Sequence, residues 1–176
     1  ESWSETAWRA DKYWRDYQTK ENIILSKNNN GIANAFEVGF DLQDDYADKK
    51  LIDSAINRLT SLKNKEQPFL FAIGLLKPHL PFNAPKKYWD LYDRESIKLA
   101  KNRFQPQNSP DIAMHNYLEL RKYLNIPNDK NKDIPDSIQR ILIHGYYACI
   151  SFIDAQIGRL IDQLVRLDLY ENSVIV

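Results

Sequence analysis

The chain has 176 residues, 43% of them apolar and 27% charged, which suits one soluble domain with a buried core and excludes a disordered polymer. Lys and Arg number 24, Asp and Glu also 24, and the formal net charge is zero, so no charge excess points to nucleic acid or to an anionic membrane as a partner. No apolar run approaches the roughly 18–20 residues that span a bilayer, and the single cysteine, Cys149, excludes an internal disulfide.

Residues 1–45 show no sustained period and read as an irregular covering segment with a short helix around 5–17. Trp3, Trp8, Trp14, Tyr13 and Tyr17 cluster there. Aromatics of this kind stack on sugar rings or pack against the rest of a protein, and packing is the commoner role. Asn28-Asn29-Asn30-Gly31 is a turn signal.

Over 46–63 the pattern becomes helical, with Ile52, Ala55, Ile56, Leu59 and Leu62 on one face. Asp45 or Asp48 suits the N-cap. Pro68 stops this helix, and the apolar run that follows reads as a strand at about 69–75, buried on both faces. Helix followed by strand is the grammar of an α/β sheet.

Lys77-Pro78-His79-Leu80-Pro81-Phe82 comes next. Its prolines oppose helix and sheet pairing and predict a stiff loop at the carboxyl end of a central strand, an edge where open α/β sheets bind ligands. Pro85 then opens a short helix over 85–92. A further helix is expected at about 113–124, with Met114, Tyr117, Leu118 and Leu120 as its apolar contacts. The clearest element covers 136–167, where Ile138, Ile141, Leu142, Gly145, Cys149, Phe152, Ile153, Leu160, Leu164 and Leu167 form one stripe. Asp136 or Ser137 can cap it. Ser173 to Val176 is β-branched and starts a second strand, 173–176.

Among the three histidines, His79 stands two residues from Lys77 in the stiff loop. A lysine supplies a point charge, and an imidazole N–H can assist a departing oxygen. The pair therefore suits an anion such as sulfate or phosphate, with a structural loop histidine as the equal alternative. His115 and His144 fall on expected helices without flanking partners and read as surface or packing residues. Cys149 lies on the apolar stripe and reads as a buried, inert thiol. Asp41, Asp44, Asp45 and Asp48 lack the spacing of a calcium loop and read as helix-start carboxylates. No Gly-rich phosphate loop, paired-cysteine zinc site or nucleophile elbow occurs.

Pro68 to Gly74, Lys77-Pro78-His79-Leu80-Pro81-Phe82 and Pro85-Lys86-Lys87-Tyr88, followed by the segment from Gly145 through Asp154-Ala155-Gln156-Ile157-Gly158-Arg159, resemble the middle of sulfatases of the iduronate-2-sulfatase-like kind. The resemblance covers about residues 30–176. It implies part of an alkaline-phosphatase-like α/β sandwich, with residues 1–176 as the central part of a single catalytic domain cut at both ends. It implies hydrolysis of sulfate esters by a formylglycine nucleophile, with calcium polarising the sulfate. The modified cysteine and the calcium ligands are expected outside this chain, so no metal ligand is assigned within it. His79 matches the family histidine that contacts sulfate or leaving group and is the candidate catalytic residue. Lys77 matches the motif lysine and joins His79 as a candidate substrate-binding residue.

The expected function is therefore a sulfuric ester hydrolase on a sulfated small molecule or glycan, with no nucleic-acid or membrane partner. A periplasmic, secreted or lysosome-like location follows from the resemblance, and the chain by itself is expected to be inactive. A phosphodiesterase or phosphonate hydrolase of the same superfamily, or a non-catalytic anion-binding module, are the alternatives.

Overall fold

The computed structural model describes residues 4–9, 15–40, 46–65, 67–115, 117–130 and 132–176. In chain order its main elements are α1 (Lys20–Asn28), β1 (Phe36–Gly39), α2 (Ala47–Lys63), β2 (Phe82–Pro85), α3 (Lys86–Trp89) and α4 (Asp136–Arg166), with short 3-10 turns between them.

The strongest apolar stripe builds the longest element. Helix α4 buries Gly145, Ala148, Cys149, Phe152, Ile153, Gln156 and Leu164, a helical spacing that turns one face to the core. Helix α2 packs across it and buries Ile52, Ala55 and Leu59. Polar bonds tie the same pair: Arg159 to Asp53, Gln163 Nε2 to Thr60 Oγ1 at 3.2 Å, and Lys63 to the Leu167 carbonyl. Burial raises the Asp53 carboxyl, but its bonds from Lys49 and Arg159 outweigh burial and hold it below the ordinary carboxylate value.

Strands β1 and β2 pair in parallel, with Phe36 opposite Phe82 and Gly39 opposite Pro85. The sheet packs on α4 through a core of Tyr46, Ala84, Tyr88, Trp89, Ala148, Cys149, Phe152 and Ile153. Phe152 lies between two rings, 5.2 Å from Tyr46 and 5.5 Å from Tyr88. At Gly145 the helix approaches closely: a Cβ there would stand 2.7 Å from Trp89 and 2.8 Å from the Phe82 Cβ. The Gly145→Ala variant is therefore expected to lose about 1 kcal/mol of stability. Overpacking of roughly 1–3 kcal/mol outweighs the ~1 kcal/mol gained in helix propensity. A thermal unfolding midpoint unchanged or raised would contradict this packing.

The expected helices at 46–63 and 136–167 match α2 and α4. The expected helix at 85–92 is shorter, ending at Trp89 before a turn in which Tyr92 N–H bonds the Trp89 carbonyl at 3.2 Å. Several expectations are corrected. Residues 69–75 form no strand; Phe71, Ile73 and Leu75 are half-buried while Leu70 and Leu76 are exposed. The segment lies with one side on the protein, and among the described residues no ladder pairs it. Residues 173–176 are likewise unpaired, with Val174 and Val176 exposed. A run of β-branched residues becomes a strand only where another backbone supplies the ladder.

No α-helix forms at 113–124. Short 3-10 turns stand at Asp111–Ala113 and Leu120–Lys122, and Tyr117 has a left-handed φ of 56°. Met114, Tyr117 and Leu118 are exposed, while Tyr123 and Ile126 are buried. A second small core explains this: Ala35, Tyr123 and Ile126 pack with Leu80, Leu120 and Ile138. Leu124 N–H bonds the Ala33 carbonyl at 2.9 Å, so the segment is fastened to the chain before β1 instead of coiling on itself.

The described parts of 5–17 are not helical. Helix α1 lies further on, capped by the Thr19 side chain, which accepts from Asn22 N–H. Tyr46 and Pro135 occupy the N-caps of α2 and α4 without side-chain cap bonds. Asp45 lies outside the described residues, and Asp48 and Asp136 fall inside the first turns.

Candidate functional site

Residues 77–81 run directly into β2, so the proline-rich loop enters a strand at its amino end instead of leaving one at its carboxyl end. The peptide bonds Lys77–Pro78 and Leu80–Pro81 are cis. From the first turn of α2, buried Asp48 holds the base of the loop. Its Oδ1 accepts from Leu76 N–H at 2.7 Å and its Oδ2 from Lys77 N–H at 3.0 Å. His79 N–H bonds the Leu76 carbonyl at 3.0 Å and closes the turn.

The two candidate residues of the loop face opposite ways. Lys77 is 5% exposed, and its Nζ donates to the Pro81 carbonyl at 2.7 Å. Burial pushes its proton affinity below the ordinary lysine value, while neighbouring Cys149, Asp16, Asp48 and Glu37 act in the other direction. Two of these carboxylates have firm bonds of their own. Asp16 Oδ2 accepts from Ala47 N–H at 2.6 Å, and Glu37 accepts from Gln18 N–H at 2.7 Å, Thr19 Oγ1 at 2.6 Å and Asn22 Nδ2 at 2.9 Å.

The His79 side chain is 53% exposed. Its Nδ1 lies 2.8 Å from the Leu80 carbonyl, and a carbonyl can only accept, so Nδ1 carries the proton. Nε2 then points along the open side, 3.7 Å from Glu119 Oε1. His79, Glu119, Leu75 and Leu76 line one shallow depression of about 370 Å³. Such a surface can present an N–H or accept a proton at Nε2 beside an apolar floor.

The other histidines are placed elsewhere. His144 is buried on α4, with Nε2 2.7 Å from the Trp89 carbonyl and Nδ1 accepting from Arg94 Nε at 3.2 Å. It is the packing residue expected, though not without partners. His115 is exposed and lies outside any α-helix; its Nδ1 accepts from Tyr117 N–H at 2.9 Å. Cys149 is buried, and burial raises its thiol to about 12, against the opposing pull of Lys77. In the aromatic cluster, Tyr17 is buried and Trp8 exposed. The Tyr17 hydroxyl donates to the Asn34 carbonyl at 2.8 Å. Trp3, Tyr13, Trp14 and the acidic Asp41, Asp44 and Asp45 lie outside the described residues.

Among the described residues no group of three or more His, Cys, Asp or Glu side chains converges as a metal site. The calcium that the resemblance implies finds no such group among them. Nor is any described helix long and apolar enough to cross a membrane.

Sequence reasoning missed two residues of this region. Asp48 was legible as a helix-start carboxylate, but nothing in its spacing showed that it holds residues 76 and 77. Glu119 carried no signal at all, because it comes near His79 in the folded chain, where Leu120 and Leu80 both pack against the second core.

Comparison with known proteins agrees with the family resemblance of the sequence. The sequence profile of the sulfatase family matches residues 2–176. The chain is 30% identical to iduronate 2-sulfatase of Mus musculus over 179 residues, covering 96% of this chain and 32% of that protein. It is 35% identical to the Homo sapiens iduronate 2-sulfatase over 133 residues, covering 73% of this chain and 24% of that protein. A sulfatase of Formosa agariphila is 33% identical over 114 residues, covering 65% and 22%. The chain thus spans a third or less of the length of these relatives. With its loop motif in place and the family profile running along nearly its whole length, the chain belongs to the sulfatase family.

Proposed function

We propose that this chain forms one wall of the active site of a sulfuric ester hydrolase acting on sulfated carbohydrate. The observation that carries the reading is the exposed imidazole of His79, mounted on a loop whose base is buried and bonded, in a chain of the sulfatase family. The names of the mammalian relatives, iduronate 2-sulfatases, support a sugar as the sulfate-bearing group.

In this reading His79 is the catalytic residue of the wall. Its Nδ1–H is committed to the Leu80 carbonyl, which fixes the ring, and in this reading Nε2 meets the sulfate or the leaving oxygen. Protonated there, it donates the proton that the departing alkoxide requires. Lys77 supports the loop from inside through the Pro81 carbonyl and acts as a positioning residue. The formylglycine nucleophile and the calcium, which would supply Lewis-acid stabilisation, belong to parts of the full-length protein other than this chain. A periplasmic, secreted or lysosome-like location fits the same reading.

The test is a paired assay of the full-length protein on an aryl sulfate and an aryl phosphodiester. Sulfate release well above phosphoryl hydrolysis is expected. Preferential phosphodiester cleavage would move the chain to a different reaction within the same superfamily, and turnover of neither would favour an anion-binding module.

A further inference from the structure

The segment between α3 and α4 does more than cover the sheet, because it delivers a carboxylate to the rim beside His79. Leu120 and Leu80 both pack against the second core of Ala35, Tyr123 and Ile126. Arg121 is buried and donates to the Pro127 carbonyl at 2.9 Å and to the Lys132 carbonyl at 2.8 Å. These contacts on the two residues after Glu119 fix where its backbone stands. Its side chain remains 49% exposed, with Oε1 3.7 Å from His79 Nε2. The apolar side chains of Leu75 and Leu76 line the same depression.

An imidazole, a carboxylate and an apolar floor together match a particular kind of leaving group. A sugar ring has C–H faces that rest on leucine side chains and hydroxyls that donate to a carboxylate, and such charge-assisted bonds are the stronger class. A ring carrying its own carboxylate would place like charges within a few ångströms, which is unfavourable. We infer that the depression lined by Leu75, Leu76, His79 and Glu119 is the leaving-group subsite, and that Glu119 is a specificity-determining residue selecting a neutral, hydroxyl-bearing sugar over a uronate. This rests on the sulfatase reading of His79. It differs from what the names of the mammalian relatives would suggest for the sugar.

The test uses the full-length protein and its Glu119→Gln and Glu119→Lys variants. The quantity read is the ratio of kcat/KM for a sulfated neutral hexose to that for the corresponding sulfated uronate. An aryl sulfate is assayed alongside. The wild type is expected to favour the neutral sugar. Glu119→Gln should lower the ratio about tenfold, the scale of one charge-assisted hydrogen bond together with relief of one like-charge contact. Glu119→Lys should lower it further. A ratio unchanged in both variants, as a merely structural role would give, overturns the inference, as does a wild-type preference for the uronate. Hydrolysis of the aryl sulfate with neither sugar accepted overturns it while leaving the sulfatase reading intact. Loss of all three activities in the wild type removes both.

Discussion

His79→Ala in the full-length protein is expected to lower turnover of a sulfate ester by about 10²-fold or more, the usual scale for a positioned acid–base group. The loss should appear in kcat, because in the proposed role the imidazole acts on an oxygen whose charge develops during cleavage. Stability should hardly change. The side chain is half-exposed and absent from both cores, and surface substitutions usually stay within about 0.5 kcal/mol. The discriminating pair of measurements is therefore kcat and the thermal unfolding midpoint. A wild-type kcat would remove His79 from the chemistry, and a large fall in the midpoint would make it a structural residue.

Asp48→Ala should show the opposite signature, a large loss of stability accompanied by loss of turnover. Its carboxylate accepts from two loop amides and lies near the buried Lys77. Truncation leaves those acceptors missing and Lys77 with less compensation. Removing one partner from a buried charge arrangement costs about 3–5 kcal/mol. Asp16 and Glu37 also act on Lys77, which places the expectation toward the lower end, about 3 kcal/mol. If Asp48 matters through this lysine, combining Asp48→Ala with Lys77→Met should recover part of the lost stability, since the uncompensated charge is gone. Equal destabilisation by the single and double variants would show that the two amide bonds alone carry the effect.

These two residues also show what was readable from sequence. Helices α2 and α4 were legible because each buries a continuous face, and period follows from burial. The loop was legible because proline restricts its own backbone and that of the residue before it. The strands were not. Residues 69–75 and 173–176 have strand composition, but pairing depends on a neighbouring backbone, and none lies beside them among the described residues. Strands β1 and β2 pair over only four residues each, too few to show a period, and β2 follows Pro81 and ends in Pro85, prolines that argue against a strand. At the candidate site, the motif and its flanking prolines singled out His79. The inward turn of Lys77, the grip of Asp48 and the approach of Glu119 are products of tertiary packing, which local spacing does not encode.

The proposed role of the loop is tested most directly by a crystal structure of the full-length protein with inorganic sulfate, the product of the proposed reaction, bound beside it. A sulfate oxygen within about 3.2 Å of His79 Nε2, an ordinary hydrogen-bond distance, is the expected result. Sulfate held at the active site with the His79 ring turned away and no direct or water-bridged contact to it would contradict the account.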